Sequence, residues 1–155
     1  YIKYGCKPKI LNVEFRGIKK AKPIPGAIDL IKQASKVIIC PSNPVVSIGT
    51  ILGVKGIKKT LKNIKDKVYA ISPIVQGATI KGPADKLMES QGYQASCFGV
   101  ANYYKEILGT LIIDNKDEQF KGKIKNLGIK TYCFDTLMTN LKKKKELAEF
   151  LINLE

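Results

Sequence analysis

The sequence contains no histidine and no tryptophan, and Arg16 is its only arginine. Without histidine, neither a Ser-His-Asp nor a Cys-His relay can be assembled, and a two-histidine zinc helix and a histidine general base are excluded with them. Any acid or base must be a carboxylate, lysine, tyrosine or cysteine, unless another chain supplies it. One arginine gives little scope for bidentate recognition of bases and phosphates, and the aromatics are not interleaved with lysines as a base-stacking platform requires. A nucleic-acid partner is not expected. Neither G-x-G-x-x-G nor G-x-x-x-x-G-K-[ST] is present, so a standard dinucleotide or P-loop assignment has no support. No apolar run approaches the ~18 residues of a membrane span, and no signal peptide is seen at the start. No membrane partner is expected, and a cytoplasmic location is.

Cysteine pairs are lacking too. Cys6, Cys40, Cys97 and Cys133 are far apart and form no C-x-x-C motif. The last three sit in apolar company (VIIC, SCFGV, TYCF) and read as buried small hydrophobes in a reducing compartment, in preference to metal ligands or disulfides.

What is present is a chain of 155 residues with 45% hydrophobic content, which fits one compact domain over residues 1–155 and excludes a disordered chain. The 27 basic and 13 acidic residues leave a net charge of +14. Residues 1–81 hold 16 basic and 3 acidic side chains, whereas residues 82–155 hold 11 and 10. An anionic partner should therefore meet the first half. Lysines spread over solvated faces explain the excess equally well, and a small anionic ligand remains the functional alternative.

Short β-rich runs alternate with amphipathic ones. Strands are expected at Ile10–Phe15, Val37–Cys40, Val68–Ser72, Leu111–Asp114 and Thr131–Phe134. Helices are expected at Pro25–Ala34, Ser47–Lys65 with a break at Gly53–Gly56, Pro83–Gln91, Phe98–Leu108, Asp117–Leu127 and Lys142–Leu154. In the last, Leu147, Phe150, Leu151 and Leu154 share one face, and Lys142–Lys145 reads as its solvated start. Alternating strands and helices imply an α/β fold, a doubly wound, mostly parallel sheet with helices on both faces, because parallel neighbours need crossovers. Ligands then bind outside the carboxyl ends of the strands.

Two loops at such ends carry chemistry. In Pro41–Thr50 (PSNPVVSIGT) a turn of small and amide side chains runs into a helix, placing backbone N–H groups, hydroxyls and the Asn43 amide at a positive helix end suited to phosphate. An ordinary turn with Ser47 as helix cap accounts for the same residues. In Pro73–Asp85 (PIVQGATIKGPAD) two glycines permit close backbone approach, Lys81 offers a charge to phosphate, and Asp85 could accept from a donor edge such as guanine's. Asp85 also suits a first helical turn on dipole grounds alone. After the last strand, Asp135 or Thr136 is placed to cap the final helix, and either can face the same crevice; Asp114 is a weaker candidate of the same kind.

The segments KPIPGAIDLI, IICPSNPVVSIGTILGVKGIK, VYAISPIVQGATIKGPADKLMESQG, FGVANYY, LIID and FDTLM together resemble the second half of the 2-phospho-L-lactate transferase (CofD) family over nearly the whole chain. The gluconeogenesis-factor branch of the same superfamily differs at the PSNP and KGPAD loops. The resemblance implies a magnesium-assisted transfer in coenzyme F-420 biosynthesis. In it the hydroxyl of the deazaflavin Fo attacks the lactyl- or enolpyruvyl-linked phosphorus of a guanosine diphosphate-activated donor, and GMP leaves. Carried onto this chain, it implies that Ser42, Asn43, Ser47 and Gly49 line a phosphate site and that Ser72, Lys81 and Asp85 approach the nucleotide. The family's glycine-rich strand–turn–helix and acidic segment have no counterpart ahead of Tyr1, so the chain resembles about half of the pattern. Its catalytic base and metal ligands are expected outside it, in keeping with an incomplete sheet that leaves apolar surface uncovered and a homodimer through the exposed edge open. A nonenzymatic nucleotide-binding or regulatory fragment of the same fold is the alternative.

Overall fold

The computed structural model describes residues 2–79 and 82–154. Lys81, one of the expected nucleotide contacts, lies outside the described residues. Within them the chain runs through α1 (Ala27–Gln33), β1 (Val37–Ile39), a π-helical turn (Pro44–Ile48), α2 (Gly49–Gly53), α3 (Ile57–Asn63), β2 (Val68–Ile71) and a small hairpin of β3 (Ile74–Val75) and β4 (Ala78–Thr79). It continues through α4 (Ala84–Ser90), α5 (Cys97–Tyr104), β5 (Thr110–Asp114), a 3-10 stretch (Asn115–Phe120), α6 (Lys121–Lys125), β6 (Lys130–Phe134) and α7 (Leu141–Asn153).

Four strands form a parallel sheet in the order β1-β2-β5-β6. Hydrophobicity explains their places. Every residue of β2 (VYAI) and β5 (TLIID) is buried, as strands covered on both faces must be. The three-residue β1 and the half-exposed β6 (KTYCF) take the edges.

Each crossover steps to the next strand in the same direction, so right-handed connections should place every crossover helix on one face. They do. Val68, Ala70, Leu111 and Ile113 pack in one core with Ile57 and Leu61 of α3, Met88 of α4, Val100 and Tyr104 of α5, and Ile124 of α6. The alternate residues Tyr69, Ile71 and Ile112 point to the other face, where Leu147 and Leu151 of α7 cover them with Phe134, Phe150 and Leu154 alongside. The parallel α/β architecture with helices on both faces is thus as the sequence predicts. The carboxyl end of α7 is tied down by Lys36, whose Nζ donates to the carbonyls of Leu151 (2.8 Å), Ile152 (3.1 Å) and Leu154 (2.5 Å). The same ammonium lies 4.6 Å from the centre of the Tyr69 ring. It supplies both a cap and a positive charge where the helix dipole favours one.

The structure corrects four expectations. Ile10–Phe15 forms no strand: Ile10 and Val13 reach the helix-side core, Leu11 is 85% exposed, and part of the segment lines a surface cleft together with Val46 and Leu87. Strand propensity has no ladder to join there. The β3–β4 hairpin was not foreseen; its turn, Gln76-Gly77, has positive φ at both residues (51° and 76°), the geometry of a tight two-residue hairpin. The final helix is capped by Asn140, whose Oδ1 accepts from Lys143 N at 2.9 Å, and not by Asp135 or Thr136. Of the three cysteines expected to be buried, Cys97 is, but Cys133 is only half-buried and Cys40 is exposed, because they lie on or just after edge strands.

Candidate functional site

The loops at the carboxyl ends of β1, β2 and β6 meet the start of α4 around one cleft of about 780 Å³. Ser42, Asn43 and Ser47 line it from the β1 side, Pro73 follows β2, Gly82, Pro83 and Ala84 open α4, Thr136, Leu137, Met138 and Thr139 follow β6, and Lys144 reaches in from α7. Among the described residues no carboxylate lines it. Hydroxyls, an amide and an ammonium suit an anion with hydrogen-bonding oxygens.

Local chemistry sets the β1 wall. Asn43 Oδ1 accepts from Val45 N (3.0 Å) and Val46 N (3.1 Å), and Pro44 takes the first helical position, where its missing N–H costs nothing. The Asn43 carbonyl accepts from both Ser47 N and Ile48 N, which widens the first turn to π geometry, a form that recurs at functional sites. The helix therefore begins at Pro44 with Asn43 as its cap, and Ser47, which the sequence offered as cap, stands exposed one turn on. This differs from the expected phosphate cradle of free backbone N–H groups, because the early N–H groups are satisfied internally. The β1 side offers the cleft the hydroxyls of Ser42 and Ser47 and the Asn43 amide nitrogen.

The other candidates separate. Gly49 is buried behind the π turn, and a Cβ there would lie 2.7 Å from Tyr103 Oη and 3.1 Å from the Pro44 carbonyl, so glycine serves packing at that position. Ser72 is buried, donating from Oγ to the Ile74 carbonyl (2.8 Å) and accepting from Ile74 N (3.2 Å); it shapes the corner that presents Pro73. Asp85 sits in the first turn of α4, beside the lining residues and not among them. Ser42, Asn43 and Ser47 are thus brought together, Ser72 and Asp85 flank, and Gly49 supports from behind.

Two buried carboxylates brace the neighbouring loops. Asp114, 2% exposed at the end of β5, accepts from Lys116 N on Oδ1 and from Thr136 N and Oγ1 on Oδ2, each at 3.1 Å. Asp117, 1% exposed, accepts from Gln76 N at 3.1 Å on both oxygens. Burial raises its pKa, the Gln76 N–H partly offsets this, and nearby Asp114 adds to the rise. Burial, with Asp117 adding, pushes the Cys97 thiol up to about 12, leaving it no thiolate reactivity near neutrality. At the rim, the Lys143 ammonium bonds Asp135 and holds that carboxyl below its ordinary value.

Lys144, Met138 and Thr139 are lining residues that sequence reasoning did not single out. The run Lys142–Lys145 reads as a surface feature, and only the docking of α7 beside the β6 loop separates Lys144, in the cleft, from Lys143, paired with Asp135. The magnesium that the resemblance implies does not fit this donor set. The cleft has no carboxylate, and the described residues contain no group of three or more acidic or cysteine side chains able to hold a metal. No helix among them is long and apolar enough to cross a membrane.

The sequence matches the family model of 2-phospho-L-lactate transferase CofD over residues 2–149. It is 40% identical to a 2-phospho-L-lactate transferase of Methanosarcina barkeri over 98% of this chain and 48% of the relative. It is also 40% identical to that of Methanocaldococcus jannaschii, over 98% and 47%, and 39% identical to that of Methanosarcina acetivorans, over 95% and 47%. The chain spans about half the length of the curated relatives it matches. With these matches covering nearly all of its length, the chain belongs to the CofD family of 2-phospho-L-lactate transferases.

Proposed function

We propose that this chain forms the phosphate- and nucleotide-binding part of a cytoplasmic 2-phospho-L-lactate transferase acting in coenzyme F-420 biosynthesis. The donor is a guanosine diphosphate ester of lactate or enolpyruvate, and the acceptor is the hydroxyl of the deazaflavin Fo. The observation that carries this reading is the carboxylate-free cleft where Ser42, Asn43, Ser47, Thr136, Thr139 and Lys144 converge at the carboxyl ends of parallel strands.

In such a transfer the acceptor oxygen forms a bond to the lactyl-linked phosphorus, the bond to the bridging oxygen breaks, and GMP leaves with that electron pair. Positioning and charge stabilisation supply most of the catalysis. Ser42, Ser47 and the Asn43 amide nitrogen donate to phosphate oxygens, and the Lys144 ammonium offsets their charge. Lys81 approaches the phosphates, and Asp85 accepts from the guanine edge. Magnesium would be held by groups other than the cleft-lining residues, and since no carboxylate is among the described lining residues, the proton of the acceptor hydroxyl passes to a base supplied from outside them or to solvent.

Isothermal titration with GDP and magnesium tests the site. Binding that Asn43→Ala or Lys81→Ala weakens is expected; equal affinity in all three proteins would remove it. The half-length match to the relatives favours a second reading, a nucleotide-binding fragment without turnover. Conversion of Fo to a phospholactylated product by this chain alone would exclude that reading, whereas GDP binding without turnover would support it.

A further inference from the structure

We propose that a small tyrosine-walled cavity beside α3 is a docking site for an acidic segment of a partner protein, which seats one aromatic side chain in the cavity and its carboxylates on the lysines around it. The cavity has a volume of about 250 Å³ and is walled by Leu52, Tyr93, Tyr103, Tyr104 and Ile107. It shares no lining residue with the cleft at the carboxyl ends of the strands.

Size and walls select the anchor. Small-molecule sites usually begin near ~300 Å³, so a nucleoside with its phosphates does not fit, whereas one side chain does. Tyr103 stands edge-on to both Tyr93 and Tyr104, with ring centres 5.2 Å apart in each pair and planes at 75° and 77°. A further ring can join such a set edge-to-face. Tyrosines around a pocket for one aromatic side chain are the composition of an interface hot spot.

Charge selects what surrounds the anchor. Residues 55–67 hold six of the 16 basic side chains of residues 1–81 but only one of their three acids, Asp66. Lys58 and Glu106 line the cavity and pair at 2.7 Å. Lys58, with Lys62 and Lys105 adding, holds the Glu106 carboxyl below its ordinary value, so one carboxylate lies among three lysines. Lys55, Lys58, Lys59, Lys62 and Lys105 are all exposed. A carboxylate-rich segment meets an unbalanced positive field there. A lipid surface or a phosphate backbone would engage the lysines and leave the cavity empty, and residues 55–67 contain no arginine to read bases. The inference does not depend on what the cleft binds.

The test is fluorescence anisotropy of the full chain with a labelled peptide of one phenylalanine flanked on each side by three glutamates, and with the same peptide carrying glycine at its centre. The phenylalanine peptide is expected to bind, less tightly as salt rises, and the glycine peptide to bind at least roughly tenfold more weakly. Lys59→Glu combined with Lys62→Glu, both on the surface, should weaken binding by roughly tenfold or more. Glu106→Gln, which frees Lys58 and removes the carboxylate that repels the peptide, should strengthen it severalfold, a gain that a damaged fold cannot produce. No binding of the phenylalanine peptide at low salt, equal binding of the two peptides, or a Glu106→Gln protein that binds no better would overturn the proposal. So would tighter binding of oligothymidylate or of phosphatidylglycerol vesicles than of the peptide. GDP titration of the same variants reports separately on the cleft and is expected to be unchanged.

Discussion

Asn43 illustrates how one side chain can hold two roles. Its Oδ1 caps the π turn by accepting from Val45 N and Val46 N, and its amide nitrogen is the part left for a ligand. Substitutions can separate the two. Aspartate caps a helix as well as asparagine does, so Asn43→Asp should leave stability unchanged yet lower nucleotide affinity, having lost a donor and gained a negative charge. Asn43→Ala should lower both, with a stability loss of about 1 kcal/mol. Denaturant unfolding and calorimetric titration of the two variants check this.

Asp117 gives a second prediction at the same scale. Because burial holds its carboxyl above the ordinary value of 3.8, the folded protein keeps a proton that the unfolded chain has already released. Its contribution therefore falls as pH rises from about that ordinary value through the raised one, and is constant above. Asp117→Asn should remove this slope from the dependence of the urea midpoint on pH, while Asn Oδ1 still accepts from Gln76 N. Asp135 acts in the opposite sense. Its carboxyl is held low by Lys143, so its contribution is present above the ordinary value and lost as pH falls through the lowered one.

Among the elements, α7 depends on a residue far away in sequence. Lys36→Met keeps a side chain of similar length but removes the ammonium, and with it the contact to the Tyr69 ring and three hydrogen bonds to carbonyls at the end of α7 and its cap. It should cost about 1–2 kcal/mol, read by denaturant unfolding, with faster hydrogen exchange confined to the end of α7. The π turn depends on its packing behind. Gly49→Ala drives a methyl against Tyr103 Oη and the Pro44 carbonyl and should cost about 1–3 kcal/mol. Because it displaces the turn that carries Ser47, nucleotide affinity should fall with it although Gly49 touches no ligand.

The elements also show what could be read in advance. Strands β1, β2, β5 and β6 were legible to within a residue because continuous apolar runs between amphipathic stretches have few other uses. The break between α2 and α3 was legible from Gly53 and Gly56. Ile10–Phe15 was misread because its composition suits a strand while pairing requires a neighbour that sequence does not name. That Ser42, Asn43 and Ser47 line one cleft was legible because they are contiguous with a strand end. Lys144 was not, because its distance in sequence from the PSNP loop hides that α7 and β1 share one end of the sheet. That Asn43 would consume the N–H groups expected to bind phosphate depends on a rotamer, which no pattern of residue types records.

For the whole molecule, strand order and charge both bear on the site. The crossover helices lie on one face, and among the described residues α7 alone covers the other and β1 has one unpaired edge. Among the described residues the one cation lining the cleft, Lys144, comes from residues 82–155, so the basic excess of residues 1–81 is not gathered on the cleft wall. The central claim is that this cleft receives a guanosine diphosphate group, and amide chemical-shift mapping of the chain during titration with GDP tests it most directly. Shifts are expected at Ser42–Ser47, Gly82–Ala84 and Thr136–Thr139, with α3 and its exposed lysines unmoved. Shifts centred on α3, or none at the cleft when GDP binds, would contradict it.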